Sequence, residues 1–454
     1  MSIDTAPAAK PTHFLLQGPV TPLLIRMSIP TIAVMLIQGL VSTAEVYFVG
    51  RLGSEAIAGV ALCYPVLMLM MSMSAAGLGS GVSSAIARAI GGGRQREAEA
   101  LVFDGLFISV GVGIVFSVVM HFGGPWLYSR MGGSDATLRN AIRYSSVFFN
   151  SAILVWVFNT LTSAFRGVGA VKFPAAVGAA GGAIIIIASP SMIFGLGPFP
   201  AMGIVGASLA IVCFYVIGII VMAWKLFSPS SPLRPHWSAW EFNGPRMWEI
   251  LRVGLPSSVN TIITSGNAIM MTGLVGPFGS AALAGFGLST RLEYIMAPII
   301  FGFGTSVITI VGASVGAGNF IRAREATQTG ALIAAVFTGT IGLTLAFFPD
   351  LWLRLFTQDP SVLAIGEAYF HRVGPVYVCF GLGMICYAAA QGLGRAVIPM
   401  WIALFRLLFI APVGIWAGRI WGVNGVFAVM ASGYAFFGLS LSAIMAWLFR
   451  TLSR

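Results

Sequence analysis

The sequence predicts an all-α polytopic membrane protein of twelve transmembrane helices, arranged as two six-helix lobes related by a parallel pseudo-twofold repeat. Three observations lead there. Of 454 residues, 57% are hydrophobic and only 9% are charged, whereas a soluble domain carries about 25% charged residues; a water-facing surface cannot be built from this composition. Twelve stretches are long enough to span hydrocarbon at ~20 apolar residues each. Glycines and prolines in the first half recur in the second at an offset of 226, then 225.

In chain order the predicted spans are 27–50, 55–88, 100–122, 145–165, 174–195, 202–225, 254–275, 281–314, 328–348, 370–393, 398–418 and 424–448. The second and eighth are longer than a bilayer needs, which implies tilt or partial embedding. The net charge of +11 belongs to loops rather than to a nucleic-acid surface. With the N-terminus inside, sixteen basic residues fall on the inner side, among them Lys10, Arg88, Arg94, Arg166, Arg246, Arg322 and Arg454. Seven fall outside, and Arg291 and Arg406 remain within spans. This bias predicts both termini in the cytoplasm. The opening residues lack a basic start, an apolar core and a cleavage site, so no signal peptide is expected. Cys63, Cys213, Cys379 and Cys386 all lie in apolar spans and show neither disulfide nor metal spacing.

The long polar connection around Ser228 to Arg252 contains Pro229, Pro232 and Pro235 and separates an N-terminal lobe (1–225) from a C-terminal lobe (253–454), with 226–252 as a cytoplasmic linker. Across it, Pro30 pairs with Pro256, and Gly53 with Gly279. Gly91-Gly-Gly-Arg94 pairs with Gly316-Ala-Gly-Asn319, while Tyr144, Gly167, Gly169 and Pro174 pair with Tyr369, Gly392, Gly394 and Pro399. Six spans per half return the chain to its starting side, so the repeats are parallel, about an axis along the membrane normal.

Glu45 is the first candidate for chemistry. It stands fifteen residues after Pro30, ~22 Å along a helix, too deep for a glutamate to reach the interface from that end. Carboxyls inside membranes are costly and usually functional; this one can carry a proton, or hold Na+ when ionised. The structural alternative is a hydrogen-bonded acid near the outer interface. Gln38, Ser42 and Glu45 share one helical face. Pro30 removes a backbone hydrogen bond and marks a hinge or a fixed kink. The second-half counterpart of Glu45 is Met271, on a face with Asn260, Thr264 and Asn267, polar groups that suit either cargo contact or helix packing. Glu293 and Arg291 form an Arg-x-Glu with no first-half counterpart, and Arg406 lies mid-span where the first half has Gly181. These three make a second-lobe ionic group, although residues two apart on a helix diverge. Asn150, Trp156 and Asn159 in span four suit a cavity wall or ordinary packing. Asp104, near the start of span three, is expected to stay hydrated.

Enzyme signals are poor. Gly312-Ala-Ser-Val-Gly316 fits G-x-S-x-G but follows no predicted strand, and His13, His121, His236 and His371 lie in tails, loops or span ends. No P-loop is present, so direct ATP drive is not expected. Apart from H+ or Na+ as coupling ion, no cofactor is expected.

The chain resembles the multidrug and toxic compound extrusion (MATE) family of the MOP flippase superfamily. The resemblance rests on Pro30, Glu45-Val-Tyr-Phe-Val-Gly-Arg-Leu-Gly53, Ala56-Ile-Ala-Gly59, Gly91-Gly-Gly-Arg94 and Arg166-Gly-Val-Gly169. The second-half echoes are Val275-Gly-Pro-Phe-Gly279, Ala282-Leu-Ala-Gly285, Val315-Gly-Ala-Gly-Asn319 and Gln391-Gly-Leu-Gly394. It implies a monomeric two-lobe exporter in the bacterial inner membrane. Such a protein uses an H+ or Na+ gradient to expel small amphipathic organic molecules, often cationic, with Glu45 as coupling acid and Pro30 at the bend. The extra acids of both major branches are missing: span five has Ile185 and Ser189 before Pro190, span seven has Thr264, and span ten has no carboxylate before Gln391. The alternatives are a lipid-linked precursor flippase, which calls for a more basic cavity than Arg291 and Arg406 supply, and an ion-binding sensor without transport.

Overall fold

The computed structural model describes residues 14–229, 231–236 and 240–452; Lys10, His13 and Arg454 lie outside them. Every long element is a helix, and there is no strand among the described residues. The N-terminal lobe comprises α1 (Val20–Gly50), α2 (Ser54–Gly91), α3 (Gln95–Arg130), α4, α5 (Lys172–Phe194) and α6 (Ile204–Leu226). Helix α4 is a bent pair, Asp135–Asn150 and Ala152–Gly167, with a 47° break. The C-terminal lobe comprises α7 (Gly244–Val275), α8 (Ser280–Gly316), α9 (Phe320–Phe347), α10 (Pro360–Gly392), α11 (Val397–Trp421) and α12 (Val423–Leu452). Helix α7, 32 residues long, has the length to cross a bilayer. Its Ser257, Ser258, Asn260, Thr264 and Asn267 interrupt its apolar run, and it is not among the ten helices that are both long and apolar enough to cross a membrane.

The repeat is a packing repeat. In the first lobe α1 packs on α5, α2 and α3 on α4, and α5 on α6. In the second, α7 packs on α11, α8 and α9 on α10, and α11 on α12. Its paired glycines have a backbone reason. Gly93 (φ 71) and Gly318 (φ 75) end α2 and α8, and Gly169 (φ 78) and Gly394 (φ 75) follow α4 and α10. In each case the next residue's N–H reaches back five residues, as in Arg94 to Ala89 O at 2.9 Å and Asn319 to Ser314 O at 2.8 Å. This left-handed cap suits glycine because it has no Cβ to clash.

Each lobe has its own apolar core, but α1 and α7 belong to both. Val20, Leu24 and Met27 join the C-terminal core, whereas Val41 and Val49 join the N-terminal one. In α7 the exchange is mirrored: Ile250 sits in the N-terminal core and Ile263 and Met271 in the C-terminal one. Pro30 and Pro256 fall between the two parts of their helices. Each helix nevertheless runs unbroken through its proline.

The lobes meet toward one face, where α1 begins and α12 ends, here called the basal face. The seam is made by α2 against both α7 and α8, and by α1 against α8. It is reciprocal about the pseudo-axis. A Cβ at Gly91 would overlap the Ala313 backbone, and a Cβ at Gly316 would overlap that of Arg88, the repeat partners of one another. Gly77 likewise abuts Ser258 of α7, and Gly302 abuts Ile32 of α1. Polar bonds tie the same face. Ser28 Oγ donates to Ser306 Oγ at 3.0 Å, and Ser84 Oγ donates to the Gln391 carbonyl. Arg88 pairs with Glu249 at 3.1 Å. Arg322 donates to the carbonyls of Leu15, Gln17 and Gly18 at 2.7–3.0 Å, fastening the segment before α1 to the C-terminal lobe.

Asp104 corrects the expectation of a hydrated acid. It is fully buried, ion-paired with Arg246 at the start of α7 and accepts from Trp240 Nε1 at 2.9 Å. The residues just before and within the start of α7 fold back over α3 and cover it. Asn243 caps that helix by accepting from the Arg246 N–H at 3.0 Å.

A side chain at the lobe contact will force it open. Gly91→Leu or Gly316→Leu costs about 1–3 kcal/mol of overpacking unless the lobes separate. In a background lacking the four native cysteines, Ser84→Cys, buried at the seam in the parent, becomes reactive to a water-soluble maleimide when either substitution is added. Unchanged labelling would mean that this contact does not close the basal face.

Candidate functional site

Where the lobes diverge above the basal contact, two cavities adjoin, sharing Ala75, Arg166 and Phe301. The first lies between lobes and is lined by residues of α2, α4, α8 and α10. The second runs into the N-terminal lobe past Gln38 of α1 and Asn159 of α4. Gln391 forms the floor. Its amide donates to Ser80 Oγ at 3.0 Å and Ser257 Oγ at 2.8 Å, one from each lobe. Its burial leaves it 2% exposed, so these bonds are needed to satisfy it.

Glu45 lies on α1 in the N-terminal lobe, with Ser42 half-buried one turn before it. Its Oε1 is buried and has no hydrogen-bond partner. Two buried tyrosines, Tyr144 and Tyr215, are close enough to interact with it electrostatically. Its counterpart Met271 is 1% exposed and packs in the C-terminal core.

Glu293 is better satisfied than sequence alone foretold. Tyr369 donates to its Oε1 at 2.7 Å, Tyr377 to the same oxygen at 3.2 Å, and Tyr434 to Oε2 at 2.8 Å. Arg406 acts on it electrostatically but makes no direct ion pair; its guanidinium lies 4.9 Å from the Phe437 ring and 5.9 Å from that of Tyr434. Arg291 is exposed and stands apart, because residues two apart on α8 point away from each other. Glu45 and Glu293 are not repeat partners, yet Tyr144 and Tyr369 are. Each lobe therefore sets a carboxyl, carried by a different helix, beside the same tyrosine of the repeat.

The other predicted residues divide. Gln38 and Asn159 line the second cavity. Trp156 is 1% exposed and packed in the lobe, with Nε1 unpartnered. Asn150 bonds His121 at 3.2 Å at the bend of α4. Asn260 and Asn267 bury unpartnered side-chain oxygens on α7, and Thr264 donates back to the Asn260 carbonyl at 2.9 Å. Sequence reasoning missed Arg166 as a cavity residue by counting it with the loops, although its place just inside the end of α4 was the available signal. Gly312 and Gly316 of the serine motif pack against Ala87 and Arg88 inside the lobe contact, which accounts for them structurally. No group of three His, Cys, Asp or Glu suited to a metal occurs among the described residues.

Two parallel six-helix lobes around a shared cavity, with carboxyls buried in the lobes rather than in a catalytic cluster, define a secondary membrane transporter. The MatE family model matches residues 30–190 and again 256–416, once per repeat, and the chain belongs to this family, the MATE transporters. It is 27% identical to a FAD transporter of Shewanella oneidensis, over 92% of each chain. It is 24% identical to a probable multidrug resistance protein NorM of Thermotoga maritima, over 87% of this chain and 83% of that one. It is also similar to the multidrug export protein MepA of Staphylococcus aureus, at 22% identity over 91% of each. Among solved structures, an outward-facing MATE transporter of the MOP superfamily superposes with a TM-score of 0.88 at 24% identity, covering 98% of this chain and 99% of that one.

The tyrosine cage yields a prediction. Glu293→Leu leaves three hydroxyls without their acceptor, at about 1–3 kcal/mol for each one stranded. Glu293→Gln keeps a carbonyl oxygen for them. The thermal midpoint in detergent will fall clearly further for Leu than for Gln; equal midpoints would show that the cage contributes nothing to stability.

Proposed function

We propose that this transporter is an ion-coupled exporter of small amphipathic organic molecules. In this reading it resides in the bacterial inner membrane with its basal face and both termini on the cytoplasmic side, and Glu45 binds the coupling H+ or Na+. The observation that carries the reading is the contrast between the two carboxyls. Glu293 is satisfied by three hydroxyls of its own lobe, whereas Glu45 buries an oxygen with no protein partner. A buried carboxyl without a partner is stabilised by whatever ion neutralises it, so the ion has to come from outside the protein.

The geometry of α1 supplies the link to motion. Its first turns are packed in the opposite lobe, and Glu45 lies beyond Pro30 in its own lobe. Neutralising Glu45 changes how the outer part of α1 packs on α5, and the inner part transmits that change to α8. Pro30, where one backbone bond is missing, is the pivot. Coupling follows if ion and cargo favour opposite states of the lobes; tight binding alone moves nothing. One charge per cycle across 100 mV supplies ~2.3 kcal/mol, enough for roughly a fortyfold gradient of a neutral cargo. The roles of relatives, multidrug export and FAD transport, fit the same architecture.

In everted vesicles energised in turn by a pH gradient and by a Na+ gradient, the wild-type chain will expel cargo under at least one. Glu45→Gln will abolish driven efflux while the protein stays folded and monodisperse. Undiminished efflux by that variant would remove Glu45 from the mechanism.

A further inference from the structure

Building on the transport reading, we propose that the central cavity selects an anionic head group, of phosphate or carboxylate type, on a flat apolar body, and that Arg166 is the residue that recognises it. Arg166 occupies the last turn of α4 and lines both cavities. Neither cavity is lined by a carboxylate. Among the described residues the Arg166 guanidinium has no ion pair and no hydrogen bond; it lies 6.0 Å from the Phe301 ring. The α4 C-terminal carbonyls make a cation tolerable at this position, but a helix end offsets only part of a full charge.

The repeat sharpens the assignment. The counterpart of Arg166, 225 residues on, is Gln391, and both face the first cavity. Gln391 is held by Ser80 and Ser257. Arg166 occupies the equivalent place, carries a charge and has no such partners. A planar guanidinium with free donors matches the paired oxygens of a phosphate or carboxylate. Ser83, Ser163 and Thr305 line the same cavity and add hydroxyls for the remaining oxygens. Phe301 and Tyr387 offer ring faces for a flat body. A cationic cargo would instead meet like charge with nothing to offset it. Export of an anion from a negative interior also gains from the membrane potential, roughly fortyfold per charge per 100 mV.

Binding to the purified full-length protein in neutral detergent tests this, with three probes: flavin mononucleotide, riboflavin and ethidium. The first two share a ring system and differ by a phosphate. Flavin mononucleotide will bind at least about tenfold more tightly than riboflavin, the size of a charge-assisted hydrogen bond, and ethidium will bind most weakly. Arg166→Gln will erase the preference of flavin mononucleotide over riboflavin, and Arg166→Lys will keep part of it. Equal wild-type affinity for the two flavins, or preferential binding of ethidium, overturns the proposal without recourse to any variant. Short-chain phosphatidylglycerol distinguishes the sources of the head group. If it displaces flavin mononucleotide and phosphatidylcholine does not, the site is assigned to a lipid phosphate; if neither displaces it, to a soluble organic anion. No gradient is present, so a failure here leaves ion coupling at Glu45 standing. Intact flavin binding without driven flux would sink the coupling alone.

Discussion

The close approach of α2 and α8 is the contact on which the rest of the architecture depends. Gly91 against Ala313 and Gly316 against Arg88 bring two backbones together with no side chain between them. Small residues allow this in membranes, where dispersion and interhelical hydrogen bonds hold helices together rather than hydrophobic burial. With the lobes joined there, Ser84, Arg88 and Gln391 can bond across the seam, and the space above becomes a cavity with a closed floor. A contact made of glycine backbones has few intermediate states, because interfaces of this kind are either seated or apart. That property is what a two-state transporter requires.

The fold is symmetric and its chemistry is not. The repeat reproduces helix pairings, left-handed caps and the exchange of α1 and α7 between cores. At the positions that bear charge, the two copies differ. Glu45 faces Met271 across the repeat, Arg166 faces Gln391, and Glu293 has Leu67 as its counterpart. In the first two pairs the neutral copy is packed or hydrogen-bonded, and the charged copy has no protein hydrogen-bond partner for its buried oxygen or its guanidinium. In the proposed cycle the symmetric part is what lets the lobes rock, and the asymmetric part supplies what the motion would carry and what would drive it.

Much of this was legible in the sequence. Composition required a membrane protein, and the periodic glycines disclosed the repeat because left-handed caps and backbone contacts admit little else. Glu45 was visible because a carboxylate within an apolar run has few structural excuses. What escaped were features assembled from distant segments. The donors to Glu293 come from Tyr369, Tyr377 and Tyr434, far along the chain and on other helices. Asp104 looked like an interfacial acid because its cover, Trp240 and Arg246, lies in the linker, far along the chain from it. Arg166 looked like a loop cation because span ends are uncertain by a turn, and one turn separates a surface residue from a cavity residue. Helix α7 starts ten residues before the span read for it, at Gly244 rather than 254, because its first turns carry polar and charged residues, among them the Arg246 that covers Asp104.

Alternating access through the α2–α8 contact, governed by Glu45, is the central claim. The most direct measurement is a spin-label distance between Gly92→Cys and Ala317→Cys, which lie beside the contact on either side of the pseudo-axis, in protein reconstituted without native cysteines. The account predicts a short distance in one ionic condition and a second, longer population when pH or Na+ is changed, with that shift absent in Glu45→Gln. A distance that stays fixed across all ionic conditions, or a shift that survives Glu45→Gln unaltered, would contradict it.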